Sequence, residues 1–115
     1  ENGLIANEMA PRVHNSGHWT IEGAETSQFE NHLRGVLDWP LGSTRMRGHA
    51  AMVNFIGEMP PRGPVLALDG AHLHDYGKEP RPKRKLGHCT LVDDRRDRLL
   101  ERLDALQAAA FAGKR

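Results

Sequence analysis

Two short alternating runs, residues 71–76 and 85–92, flank a loop at 77–84 that carries Pro80, Pro82 and much of a dense cluster of cations. Runs of this length with a period of two are strands, and a connection this short returns the chain antiparallel. A third apolar run at 50–56 reads as a buried strand beside them. Leu99, Leu103, Leu106 and Ala110 fall on one helical stripe, with Leu100 beside it and Asp94 placed to cap the helix. The alternating charges on the rest of that helix form a solvated face. Three prolines and a glycine make 59–64 a loop, and 65–68 reads as one helical turn before Asp69 and Gly70.

Upstream, extended segments are expected at 4–9 and at 18–21. A helix follows: Ser27 as N-cap and Glu30 three residues later form a capping box, and Phe29, Leu33, Val36 and Leu37 share a stripe that reads as core. Trp39-Pro40-Leu41-Gly42 ends this helix and begins a linker. The fold class is α+β, with a division into 1–42 and a smaller β-rich unit, 43–115, closed by the terminal helix. Asn2-Gly3 reads as a hairpin turn whose partner strand lies upstream.

The 115 residues suit one modest domain or two small units, and 27% charged residues suit a solvated surface. A net charge of +1 gives no global nucleic-acid signal. No apolar run is long enough to cross a membrane and no signal-peptide pattern is present, so the cytoplasm is the default. The single cysteine, Cys89, excludes an internal disulfide framework and reads as a small packed side chain, not a nucleophile.

Chemistry concentrates in 7–18, NEMAPRVHNSGH. Glu8 can hold a hard cation such as Mg2+, and Asn7 can add an amide oxygen or orient that site. Arg12 offers a guanidinium fork for phosphate or carboxylate. If 4–10 is a strand, Glu8 and Ala10, with Arg12 beyond them, project from one face. His14, Asn15, Ser16, Gly17 and His18 form a polar loop in which glycine lets backbone approach a ligand closely. The bland alternative is a Glu8–Arg12 surface ion pair with a self-satisfied turn. His14 and His18 have the spacing of a zinc pair on a helix, but Pro11, Asn15, Ser16 and Gly17 argue against a helix there.

The second constellation is Lys78, Arg81, Lys83, Arg84 and Lys85, an anion site or else a solvated turn; without interleaved aromatics it is a poor nucleic-acid motif. His72 and His74 share the strand face opposite Leu73, and structural hydrogen bonding is the preferred role for both. His88 receives no catalytic role, and Asn54 is expected to pair with neighbouring backbone.

These blocks, with WTIE at 19–22, TSQFENHLR at 26–34, WPLGST at 39–44, MVNFIG at 52–57, HLHDYGK at 72–78 and RPKRKLGH at 81–88, resemble the PurK-type ATP-grasp ligases, the N5-carboxyaminoimidazole ribonucleotide synthetases of purine biosynthesis. The resemblance covers nearly the whole chain and falls on the C-terminal part of such enzymes. It implies the end of an ATP-grasp domain followed by a small β-rich domain similar to a rudiment single hybrid motif. It also implies ATP and Mg2+ as cofactors, bicarbonate as co-substrate and aminoimidazole ribonucleotide as the acceptor.

By the same resemblance Glu8 and Asn7 serve Mg2+, and Arg12 stabilises bicarbonate or carboxyphosphate. His14 is the proton-transfer group, with Asn15 and Ser16 contacting the acyl intermediate and the ribonucleotide. His18 supports that loop. Lys78 and Arg84 bind the 5'-phosphate, with Arg81 and Lys85 in support. Two positions depart from the pattern: Ala10 stands where ATP-grasp proteins commonly place asparagine, and Lys83 stands where these ligases usually have glycine.

Three functions are thereby expected in order. The first is part of a carbon–nitrogen ligase, inactive without an N-terminal lobe and homodimeric when complete. The second is a non-enzymatic nucleotide- or anion-binding module, and the third a zinc-binding interaction domain.

Overall fold

The computed structural model describes residues 3–112; the expected turn at Asn2-Gly3 therefore lies partly outside the described residues. A 3-10 turn at Asn15–Gly17 leads into a short helix, α1 (Thr20–Gly23), and then α2 (Gln28–Val36), β1 (His49–Ile56), α3 (Arg62–Leu66), β2 (Ala71–Asp75), β3 (Lys85–Asp93) and α4 (Arg96–Phe111). The sheet order is β1-β3-β2 with both pairs antiparallel, so the expected hairpin forms and β1 adds to its far side.

Strand alternation divides the sheet into two unlike faces. Cys89 and Leu91 of β3, with Phe55 of β1, pack against Val65, Leu99, Leu106 and Ala110; Val53, Leu73, Met59 and Leu103 complete this core. The α4 stripe is thus the one expected from its spacing, with Leu100 left exposed. His88 and Thr90 point to the opposite face and are buried as well. That face is covered by α1, which approaches closely because residue 23 is glycine: a Cβ there would stand 2.6 Å from the Trp19 ring and 2.9 Å from Ala50 Cβ.

Several expectations are corrected. No strand ladder forms over 4–9 among the described residues, where Leu4, Ile5 and Met9 are exposed. Residues 18–21 turn helically because the Thr20 hydroxyl donates to Gly17 O at 2.5 Å and accepts the Gln28 N–H at 2.9 Å, folding the segment back. Ser27 does cap α2, accepting the Glu30 N–H at 3.1 Å, but the Glu30 carboxylate turns to Arg34 instead of closing the box. The α2 stripe is not core: Phe29 at its start meets the His18 ring, but Leu33 is 60% exposed and Val36 69%.

Asp38, with φ 56°, ends α2 in a Schellman arrangement: Trp39 N–H reaches Arg34 O at 2.8 Å and Asp38 N–H reaches Gly35 O at 3.3 Å. The following segment is clamped, with Asn31 both donating to Gly42 O and accepting from Gly42 N, and it runs back beside 23–25 through the Ala24–Met46 bridge. α3 begins at Arg62, three residues earlier than expected. Pro64 fits inside its first turn, where no intrahelical N–H is required. Asp94 does not cap α4; Asp93 accepts the Arg95 N–H at 2.9 Å and also pairs with Arg98 and Arg102.

Candidate functional site

The loop at 14–18 is built by its own hydrogen bonds. His14 Nδ1 faces Ser16 Oγ at 2.8 Å and accepts the Ser16 N–H, while Nε2 lies 2.6 Å from Glu8 Oε1. Glu8 therefore pairs with His14 and not with Arg12, whose guanidinium turns back to Val13 O at 3.0 Å. Asn7, Glu8, Ala10, His14 and Ser16 line a cleft of about 310 Å³. Asn15 faces away and exchanges two amide hydrogen bonds with Asn54, at 2.9 and 3.0 Å, so Asn54 pairs with a side chain and not with backbone.

His18 lies over the polar sheet face. Its ring centroid is 5.0 Å from Phe29, 5.6 Å from His88 and 6.2 Å from Tyr76. Tyr76 OH stands 2.6 Å from His88 Nδ1, His88 stacks on His74 at 4.4 Å, and His74 Nε2 reaches Glu22 Oε1 at 2.5 Å. Burial, reinforced by His74 and His18, pushes His88 down to about 4, so it is neutral at physiological pH. His18 is lowered too, first by burial and then by Lys85, His14, His74 and Lys78. Burial raises the Tyr76 phenol. These groups and Lys78, whose Nζ sits 5.2 Å from the centre of the Tyr76 ring, line a cleft of about 550 Å³.

The basic loop does not aim its cations at one point. Asp75 starts it by accepting the Gly77 N–H and pairing with Arg62; those two contacts, in that order, lower its carboxyl. Arg81 to Arg84 close a turn with Pro82 second and Lys83 third at φ 62°, the sequence and sign of φ of a type II turn. Arg81 and Lys83 border a separate cleft with Ile56 and Gly57, Arg84 Nη1 donates to Glu79 O at 3.3 Å, and Lys78 faces the histidines. Cys89 is buried in the core and its thiol is pushed up to about 11 by burial, which suits packing and not nucleophilic chemistry.

Sequence reasoning passed over Gln28, Glu22, Tyr76 and the central place of His88. The alternation that put His72 and His74 on one face extends to His88 across the ladder, where His74 and His88 are register partners. That signal was available once the hairpin was paired. Glu22 carried none, because its partner His74 lies 52 residues away, and Gln28 carried none because it reaches His14 and His18 only once the chain turns back at Thr20.

As a cation site, the first cleft offers the Glu8 carboxylate with Asn7 at its wall, and the described residues hold no cluster of three His, Cys, Asp or Glu side chains. That donor set fits a Mg2+ ion completed by water and phosphate oxygens, not an all-protein cage. Among the described residues no helix is long and apolar enough to cross a membrane.

Residues 50–102 match the phosphoribosylaminoimidazole carboxylase C-terminal domain and residues 1–29 match the ATP-grasp domain. The chain is 57% identical over 108 residues to N5-carboxyaminoimidazole ribonucleotide synthase of Pseudomonas aeruginosa, covering 94% of this chain and 30% of that protein. The crystal structure of the Thermus thermophilus synthetase superposes with a TM-score of 0.87 at 66% identity, covering 90% of this chain and 29% of the other. The Aspergillus clavatus enzyme, solved with ADP and 5-aminoimidazole ribonucleotide, matches at 36% identity and a TM-score of 0.76, covering 83% and 28%. The resemblance read from the sequence is borne out: the match falls on the C-terminal region of these proteins, the end of an ATP-grasp domain followed by its small C-terminal domain. The chain spans about 30% of the length of the curated relative.

Proposed function

We propose, from the premise that this chain corresponds to the C-terminal region of an N5-carboxyaminoimidazole ribonucleotide synthase, that it supplies part of the ATP site and much of the ribonucleotide site of such a ligase. In that reaction ATP phosphorylates bicarbonate, and the carboxyphosphate formed gives its carboxyl group to the exocyclic amine of aminoimidazole ribonucleotide, releasing ADP and phosphate. The observation that carries the reading is the docking of the polar loop on the sheet: Asn15 binds Asn54 of β1, and His18 shares one cleft with Lys78 and with Tyr76 and His88 of the hairpin. A loop suited to acyl and phosphoryl chemistry thus stands beside a cationic hairpin suited to a phosphate monoester.

In this reading Glu8 and Asn7 hold Mg2+, which when bound neutralises charge on the ATP phosphates. Arg12 is exposed and, among the described residues, its guanidinium donates to Val13 O, which leaves it available to an incoming anion. His14 has its Nδ1 turned to Ser16, so its Nε2 proton faces Glu8. That Nε2 edge can donate and not accept, so, were Glu8 engaged by the cation, His14 in its imidazolium form would be free to give the Nε2 proton to the departing phosphate. Ser16 and Asn15 orient the loop around the acyl group. Lys78 and Arg84 bind the 5'-phosphate with Arg81 and Lys85 in support, which requires Arg84 to leave the Glu79 carbonyl and Arg81 to turn from its separate cleft and from the Glu79 carboxylate. Residues 1–42 and 43–115 are taken as the two units, the complete protein as a cytoplasmic homodimer, and the isolated chain as inactive without the remaining lobe.

The test is ribonucleotide-dependent ADP release with ATP, Mg2+ and bicarbonate, comparing this chain with a longer protein that contains it. Turnover by the longer protein alone is expected. Turnover by neither defeats the ligase reading.

A further inference from the structure

We propose that Gln28 is a positioning residue of this site: its carboxamide sets the backbone at His14 and holds His18 in the tautomer with its proton on Nε2. The catalytic consequence rests on the ligase reading, whereas the tautomer assignment stands on geometry alone.

Gln28 is the first residue of α2, placed there by the Ser27 cap and by the bond from its own N–H to Thr20 Oγ1. Its side chain then makes three hydrogen bonds. Oε1 accepts the His14 N–H at 3.0 Å, and Nε2 donates to His14 O at 2.6 Å and to His18 Nδ1 at 2.7 Å. The orientation of the amide is fixed by the backbone it grips, because turning it over would set NH2 against the His14 N–H and oxygen against the His14 carbonyl. Both Nε2 hydrogens are therefore donors, and His18 Nδ1 must be an acceptor. The neutral His18 ring carries its proton on Nε2.

The same reasoning fixes His14, whose Nδ1 accepts from Ser16 and whose Nε2 faces Glu8. One side chain thus joins the two clefts: it grips the backbone of the residue facing Glu8 and the ring of the residue facing Tyr76 and Lys78. Gln28 itself lines neither. Gly17 is part of the arrangement, since a Cβ there would stand 2.7 Å from Gln28 Oε1 and 2.8 Å from Cδ. A carboxamide held by three bonds cannot yield without breaking one. Lys78, Lys85, His14 and His74 bear on His18 electrostatically, and all favour the neutral ring that this hydrogen bond requires.

The experiment is long-range 1H–15N spectroscopy of this chain labelled in histidine, near neutral pH, for the unaltered protein, Gln28→Glu and Gln28→Met. His18 is expected as the Nε2–H tautomer in the unaltered chain. In Gln28→Glu a carboxylate that only accepts draws a proton onto Nδ1, and the His18 midpoint moves up by about one unit or more. In Gln28→Met the two tautomers mix. An Nδ1–H His18 in the unaltered chain overturns the proposal before any variant is made, and an unchanged tautomer in both folded variants overturns it as well. In the complete ligase, Gln28→Met is expected to lower kcat on the order of 10²-fold with KM for ATP unchanged, and a loss expressed through KM alone overturns the positioning role. An unaltered enzyme without ribonucleotide-dependent turnover defeats the ligase reading and leaves the tautomer assignment to be judged by the spectra.

Discussion

Acidification should destabilise this chain through one identifiable residue, His88. Its ring is 1% exposed, its Nδ1 is engaged by the Tyr76 hydroxyl, and its Nε2 is buried with no partner among the described groups. Histidine in the unfolded chain takes up a proton near 6.5, but folded His88 does so only at about 4, because burial and then His74 and His18 disfavour the charged ring. Between those values the unfolded state binds more protons, so stability rises with pH across the window and is lost as pH falls through it. A separation of about 2.5 units at 1.36 kcal/mol per unit gives roughly 3 kcal/mol. The assay is urea unfolding followed by the fluorescence of Trp19 and Trp39 at several pH values between 7 and 4, for the native sequence and for His88→Gln. The variant is expected to be weaker at pH 7, having lost the stack on His74, yet to lose about 3 kcal/mol less on acidification. Parallel pH profiles for the two proteins would refute the reasoning.

Leu106 is fully buried at the centre of the α4 stripe, so Leu106→Ala should cost about 2–5 kcal/mol in the same unfolding assay. Cys89, with its thiol pushed up to about 11 inside the core, should react with a disulfide reagent only as fast as the domain opens, so labelling in native buffer should accelerate steeply in urea. Lys83 holds a left-handed φ of 62° at the third position of its turn, and Lys83→Gly should therefore stabilise by about 1 kcal/mol, read as a higher urea midpoint.

The parts of the fold legible in the sequence are those where one periodicity meets one core. Alternation in β2 and β3 and the leucine stripe of α4 act on the same apolar face, so local pattern and tertiary packing agree. The α2 stripe carries the same local signal, but only its Phe29 end meets a described neighbour while Leu33 and Val36 stay exposed, and periodicity cannot say what lies opposite a helix face. At 18–21 the residues His-Trp-Thr-Ile favour extended backbone by propensity, and the Thr20 hydroxyl, bonded to Gly17 O and Gln28 N, overrides that preference. The candidate site divides in the same way. His14, Ser16 and Glu8 lie close in sequence and were readable together, whereas Glu22–His74 spans 52 residues and Asn15–Asn54 spans 39. Such pairs exist only once the chain has folded, and they join the first segment to the polar face of the sheet while the apolar face is occupied by α3 and α4.

In the proposed function the polar loop and the basic hairpin are two parts of one ligase site, and steady-state kinetics of a longer protein carrying Glu8→Gln or Arg84→Ala tests this most directly. Glu8→Gln should lower kcat with little change in KM for the ribonucleotide, and Arg84→Ala should raise KM for the ribonucleotide while ATP saturation is unchanged. If Arg84→Ala leaves ribonucleotide saturation untouched, or Glu8→Gln leaves turnover intact, the two constellations do not belong to one site and the account is contradicted.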